Sequence, residues 1–222
     1  MASRTNRRRT AVLISGRGSN LQALLDAARA PNYPADITLM ISNRPDAPGL
    51  GLARGAGVTP LAIDHTASPS RAAFDADLDR ALRRHDIELV ACAGFMRILT
   101  ADFLNAWAGR IINIHPALLP LYKGLDTHAR ALADGVRVHG CTVHYVVPEI
   151  DAGPIIAQAA VPVLSDDTPD TLAVRVLEAE HRLYPMALAL VAAGKARLEG
   201  AKVVVDAPTD AKAMLYSPTP HT

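Results

Sequence analysis

Ala11-Val12-Leu13-Ile14-Ser15-Gly16-Arg17-Gly18-Ser19-Asn20-Leu21 reads as an apolar strand, a glycine-rich turn and the start of a helix. Leu21, Leu24, Leu25 and Ala28 continue at helical spacing, so one face of that helix is apolar. The same unit then recurs. Apolar runs at Ile37–Ile41, Val58–Ile63, Glu88–Ala93 and Arg110–Ile114 alternate with helical stretches, among them Phe74, Leu78, Ala81 and Leu82. This alternation predicts an α/β fold of right-handed βαβ units, an open and mostly parallel twisted sheet of Rossmann-like type with helices on both faces. Val138–Val147 and Pro154–Val163 follow with a short Gly- and Pro-containing loop between them, which predicts an antiparallel C-terminal strand pair. A long final helix is expected from Thr168-Pro169-Asp170 past Leu172, Val176, Ala179 and Leu183. Without repeats or low-complexity linkers, one domain over residues 1–222 is expected, with flexible tails at 1–10 and about 206–222.

Composition narrows the class. The chain has 222 residues, 50% hydrophobic and 20% charged, with net charge +1, which argues against disorder and against a nucleic-acid-binding surface. Few aromatics are present, and those around Tyr145 form no base-stacking stripe. The two cysteines, Cys92 and Cys141, have neither metal-ligand nor disulfide spacing, so a reducing cytoplasm is the expected compartment. The basic start has four arginines, Arg4 and Arg7 to Arg9, but the apolar run after it is too short for a signal-peptide core. No run reaches membrane-spanning length. His128, His139 and His144 lack a metal-ligand spacing, and residues 139 and 144 fall on opposite faces of a regular strand.

The turn after the first strand leaves backbone N–H groups free at a helix start, an anion site to which Ser19 and Asn20 can add. Its pattern, G-x-G-x-x-L, lacks the third glycine of the dinucleotide fingerprint, and no Gly-Lys-Ser/Thr follows, which favours a monophosphate. The same turn equally describes a ligand-free helix cap made by Ser or Asn. Ala93-Gly94-Phe95-Met96-Arg97-Ile98-Leu99 lies at a carboxyl strand end; it suits a flat heteroaromatic ring or packs on the core. Arg71 opens the helix Ser70–Arg84 and is either a carboxylate partner or solvated. Glu180 lies four residues after Val176 on the inward stripe of the last helix, where a carboxylate needs a ligand hydroxyl or an internal salt bridge.

In Arg110-Ile111-Ile112-Asn113-Ile114-His115-Pro116, alternation aims Asn113 and His115 to one side and Ile112 and Ile114 to the other. Pro116 stops the pairing. An amide can donate to a developing oxyanion, and an imidazole can move a proton near neutral pH. Asp151, in Pro148-Glu149-Ile150-Asp151-Ala152-Gly153-Pro154, is a candidate third group that would favour the charged form of His115. The other reading makes Asn113 and His115 satisfied polar residues at a strand end and Asp151 a turn former.

Together these segments resemble the phosphoribosylglycinamide formyltransferase family of folate-dependent formyltransferases. The resemblance runs from about Ala11 to Gly194. It rests on Leu13 to Ala23, Ser42-Asn43-Arg44, Ala93 to Leu99, Asn113-Ile114-His115-Pro116-Ala117-Leu118-Leu119-Pro120, His139-Gly140-Cys141-Thr142-Val143-His144 and Asp151-Ala152-Gly153-Pro154-Ile155. It implies a formyltransferase-type sheet and the catalytic residues Asn113, His115 and Asp151. It also implies a substrate-phosphate loop at Gly18, Ser19 and Asn20, with Glu180 touching the glycinamide ribonucleotide. For 10-formyltetrahydrofolate, the co-substrate, it implies a pocket of Arg71, Met96, Arg97, Ile98, Leu99, Asn113, Val147, Pro148, Glu149, Ile150 and Asp151. Small-molecule partners, no metal, no nucleic acid, no membrane and a monomer or homodimer complete the expectation. Ala117 replaces a common serine and Asp126 stands where histidine is frequent, which bears on the loop Leu119–Thr127.

The implied reaction is direct attack of the glycinamide amine on the formyl carbon, giving formylglycinamide ribonucleotide in purine (IMP) synthesis. Asn113 and protonated His115 would stabilise the oxyanion, and water held by Asp151 or His115 would carry the proton to the leaving folate. A methionyl-tRNA formyltransferase is expected to need a further RNA-binding domain, and a formyltetrahydrofolate hydrolase an extra amino-terminal domain. A non-catalytic nucleotide-binding domain has no need of Asn113, His115 and Asp151 together. A nicotinamide-dependent dehydrogenase is disfavoured by the missing third glycine.

Overall fold

In the computed structural model, residues 7–209, 213 and 215–217 are described, so the expectations for 1–6 and most of 210–222 lie outside the described residues. The elements in chain order are β1 (Arg8–Ile14), α1 (Ser19–Ala28), β2 (Ala35–Ser42), α2 (Gly49–Gly55), β3 (Thr59–Ala62), α3 (Arg71–Arg84), β4 (Leu89–Cys92), α4 (Ala101–Ala106) and β5 (Ile111–His115). There follow α5 (Thr127–Ala133), β6 (Val138–Tyr145), β7 (Ile155–Pro162), α6 (Pro169–Ala192), β8 (Ala196–Glu199) and β9 (Lys202–Val205). The main sheet has seven strands in the order β3-β2-β1-β4-β5-β6-β7. Strands β1 to β5 pair in parallel, while β6 pairs antiparallel with both β5 and β7.

Alternation along the strands divides the core into two faces. Val12, Ile14, Met40, Ile112, Ile114 and Val143 pack beneath α1, α2 and α6, whereas Leu13, Leu39, Ile41, Val90 and Ile111 pack against α3 and α4. The helices begin where local chemistry permits. Ser70 and Thr100 accept from the third N–H of α3 and α4, and Thr168 and Thr171 form a reciprocal capping box ahead of α6, with Pro169 as its first residue. Inside the core, the Tyr184 hydroxyl of α6 donates to Cys92 O at 2.8 Å and so keeps its polar end satisfied between β4 and β5.

Three boundaries differ from the sequence reading. Strand β1 starts at Arg8, inside the stretch expected to be tail, because the arginine side chains are anchored. Arg7 donates to Ala28 O at 2.7 Å and Arg9 to His85 O at 2.8 Å, the carbonyls exposed where α1 and α3 end. Helices α2, α4 and α5 are short, at 7, 6 and 7 residues, which leaves little periodic signal. The β8–β9 hairpin stands where the sequence reading assigned no element, and Asp206 N–H closes it onto Lys195 O at 2.7 Å.

Because β1 lies between β2 and β4, crossovers leave it in opposite directions. The crevice at its carboxyl end is where open α/β sheets receive ligands.

Candidate functional site

The loop after β1 enters α1 through Gly18, whose φ of 80° lies in the left-handed region. No side chain caps the helix, so the capping alternative for Ser19 and Asn20 is not realised. Gln22 N–H is bonded back to Gly18 O at 2.9 Å, which leaves the amides of Ser19, Asn20 and Leu21 at the helix start without helical acceptors. The Asn20 side chain does not extend this cradle. Its Nδ2 donates to Glu180 Oε2 at 2.7 Å, and its Oδ1 is buried with no partner. Glu180 is therefore satisfied by an amide rather than by a salt bridge, and burial pushes its carboxyl above the usual range.

Around β5 the three expected polar groups converge. His115 Nδ1 lies 3.3 Å from Asp151 Oδ2, with the His115 side chain 7% exposed. The contact depends on the β6–β7 turn: Asp151 has φ 49°, which aspartate tolerates, and a Cβ on Gly153 would stand 1.7 Å from Tyr145 O. The turn thus folds flat over the end of β6 and brings residue 151 across the strand ends. Gly124 N–H also donates to Asp151 Oδ2, at 2.9 Å.

His144 completes the cluster and was not singled out as a site residue by the sequence. It stands opposite Asn113 in the β5–β6 register, and Asn113 Nδ2 donates to its Nε2 at 3.2 Å. The proton sits on Nδ1, because that nitrogen donates to Tyr145 O at 2.9 Å. Burial lowers the pKa of His144, which keeps it a neutral acceptor for the amide. His139 and His144 do diverge. His139 packs edge-on against His128, ring centroids 5.3 Å apart, and burial pulls its pKa down to about 4.

His115 itself is more committed than the sequence suggests. Its Nε2 donates to Tyr122 O at 2.9 Å while Nδ1 faces Asp151, so neither nitrogen is open to a ligand in this arrangement. Tyr122 belongs to the loop 119–127. Ala117 in the preceding turn is fully buried, its carbonyl accepting from Thr142 Oγ1 at 2.7 Å, and Asp126 takes the left-handed conformation ahead of α5. The antiparallel pairing of Asn113 with His144 and His115 with Thr142 was the one signal that could have identified these neighbours; it needs the register, which the sequence does not fix.

The segments expected around a ring ligand separate by burial. Met96 and Ile98 are 70% and 52% exposed and Ile150 is 56% exposed, an apolar rim at the carboxyl end of the sheet. Leu99 is a core residue against α3 and α4. Arg97 lies over the Phe74 ring at 4.5 Å, Arg71 is exposed at the first position of α3, and Pro148 and Glu149 are exposed beside half-buried Val147.

Comparison with known proteins gives the family and the fold. Residues 8–188 match the formyl transferase family. The trifunctional purine biosynthetic protein adenosine-3 of Gallus gallus is 51% identical over 190 residues, 86% of this chain and 19% of that protein; the chain spans about a fifth of its length. Phosphoribosylglycinamide formyltransferase of Escherichia coli is 43% identical over 187 residues, covering 84% of this chain and 88% of the relative. The crystal structure of glycinamide ribonucleotide transformylase 1 from Symbiobacterium toebii superposes with a TM-score of 0.88 at 48% identity, over 92% of this chain and 97% of that one. With a family match over residues 8–188 and a relative 43% identical over 88% of its own length, the chain belongs to the formyl transferase family.

Proposed function

We propose that the chain transfers the formyl group of 10-formyltetrahydrofolate to the amine of 5-phosphoribosylglycinamide, giving formylglycinamide ribonucleotide and tetrahydrofolate in de novo purine synthesis. The meeting of Asn113, His115 and Asp151 at one corner of the sheet, in a member of this family, carries the reading. Donor chemistry fits both substrates. The unbonded amides of Ser19, Asn20 and Leu21 suit a phosphate, and Glu180 retains a second oxygen for a ribose hydroxyl. The exposed apolar side chains of Met96, Ile98 and Ile150 suit a flat ring that must shed water, with Arg71 and Arg97 on offer for a carboxylate.

The co-substrate supplies the formyl group; the protein supplies charge and position. Asn113, held at one hydrogen by His144, keeps its second N–H for the formyl oxygen as negative charge develops there. His115 gains an N–H for the same oxygen when its bond to Tyr122 O is exchanged, and a proton on its Nδ1 turns the Asp151 contact into a charge-assisted hydrogen bond. Asp151, by accepting a proton through water from the attacking nitrogen, lets the leaving folate nitrogen be protonated in turn. We assign the enzyme to the cytoplasm, a reading supported by two unpaired, buried cysteines, and to a monomer or homodimer.

The test is release of tetrahydrofolate, or of its stable analogue, from a 10-formyl donor with and without glycinamide ribonucleotide, followed by absorbance. Release that requires the ribonucleotide supports the transferase; equal release in its absence makes the chain a hydrolase.

A further inference from the structure

Between the loop that follows β1 and the one that follows β4 lies a buried polar chain that the chemistry above does not use. Ser15, 7% exposed, is its centre: its N–H donates to Gly94 O at 3.1 Å and its Oγ accepts from Met96 N–H at 2.8 Å. The hydroxyl in turn donates to Asn43 Oδ1 at 2.6 Å. Asn43, 3% exposed at the end of β2, is itself fixed, because its backbone O accepts from both His65 N, at 3.2 Å, and His65 Nδ1, at 2.8 Å. Its own N–H reaches Ile14 O at 3.4 Å. These residues floor a cleft of about 640 Å³ over the ends of β1, β2 and β4.

Each group in this chain has a defined duty. Among the described residues the serine is the only side chain hydrogen-bonded to Met96 N–H, and Asn43 Oδ1 is what orients the serine hydroxyl so that its lone pair faces that N–H. Met96 and Ile98 are exposed, so the serine holds the start of the segment, while its far end is fastened by Arg97 over Phe74, by Leu99 in the core and by Thr100 N–H, which donates to Asp75 Oδ2 at 2.7 Å. The phosphate cradle, by contrast, is built of backbone amides at α1 and does not depend on the serine hydroxyl.

We propose that Ser15 and Asn43 are positioning residues, a buried relay that holds the Met96–Leu99 segment at the height from which it grips the folate co-substrate. The proposal rests on the formyl-transfer reading. Cutting the relay loosens the folate side of the site and leaves the phosphate side in place, which gives a signature that general destabilisation does not produce.

The experiment measures KM for each substrate, kcat and Tm in wild type, Ser15→Ala, Asn43→Ala and the double variant. Ser15→Ala strands Met96 N–H and Asn43 Oδ1, and the KM for the 10-formyl donor should rise about tenfold, as for a buried polar group deprived of its partner. The KM for glycinamide ribonucleotide should stay within about threefold. Asn43→Ala should shift the donor KM in the same direction by less, and the double variant should be no worse than Ser15→Ala, since both substitutions cut one chain. Equal rises in both KM values, or a lowered Tm with neither KM changed, overturns the relay. Additive effects in the double variant overturn it as well. If Ser15→Ala does not fold, Asn43→Ala decides alone: an unchanged donor KM refutes the proposal. A wild-type chain that fails to turn over the substrate pair defeats the functional reading instead, and direct binding of a stable 10-formyl analogue to the same variants then tests the relay.

Discussion

Replacing Asp151 by Asn removes one charge and almost nothing else. Asparagine accepts the left-handed backbone at φ 49° as readily as aspartate, and its Oδ1 can still receive Gly124 N–H, now 2.9 Å from the carboxylate, so the loop should keep its shape. What disappears is the carboxylate 3.3 Å from His115 Nδ1. When the reaction places a proton on that nitrogen, two unit charges at this separation interact by about 5 kcal/mol at an effective dielectric of ~20, before desolvation is subtracted. Loss of a positioned acid–base group lowers rates by roughly 10²–10⁴, a range of similar size. We therefore expect kcat for formyl transfer to fall by about 10²–10⁴ while both KM values stay within about threefold, because the carboxylate acts on charge that develops during reaction. Steady-state absorbance at saturating ribonucleotide reads this directly, with Tm as the control for folding. A variant that keeps its Tm and turns over within about tenfold of wild type would refute the assignment of Asp151.

Asn20→Ala should leave the Glu180 carboxyl without its donor, lowering stability by about 1–3 kcal/mol in urea denaturation and raising the KM for the ribonucleotide more than it lowers kcat. Gly153→Ala should destabilise by ~2 kcal/mol or more and depress activity, since its Cβ would stand 1.7 Å from Tyr145 O; a wild-type Tm would contradict the turn geometry. His139, 1% exposed with a pKa near 4, binds no proton in the folded chain over the range where the unfolded chain takes one up. The stability due to its neutral ring is thus complete above the ordinary value of 6.5 and lost as pH falls towards 4, on the order of 3 kcal/mol. Urea midpoints between these limits should fall less steeply in His139→Leu than in wild type. Cys92 and Cys141, both buried with pKa values raised to about 12, should resist thiol reagents until the protein is unfolded.

Periodicity alone carried the parallel sheet, the order of strands and helices along the chain, and the long α6, because burying one face of each element leaves a repeating mark on local sequence. It also placed Asn113 and His115 on one side of β5, since alternation across a strand is a local property. The short helices α2, α4 and α5 and the β8–β9 hairpin escaped for the converse reason: at 4 to 7 residues each completes no more than about two periods, too few repeats to stand out. What joins distant parts of the chain was decided only in three dimensions. The β5–β6 register set His144 against Asn113, the fit of Gly153 over Tyr145 O brought Asp151 to His115, and helix packing placed Glu180 under Asn20. Composition marked Arg7 to Arg9 as tail, yet helix ends exposing carbonyls at Ala28 and His85 drew them into the fold. Sequence determines which residues can do chemistry and how each element presents them; which of them touch follows from register and packing, whose free energies are sums over the whole chain.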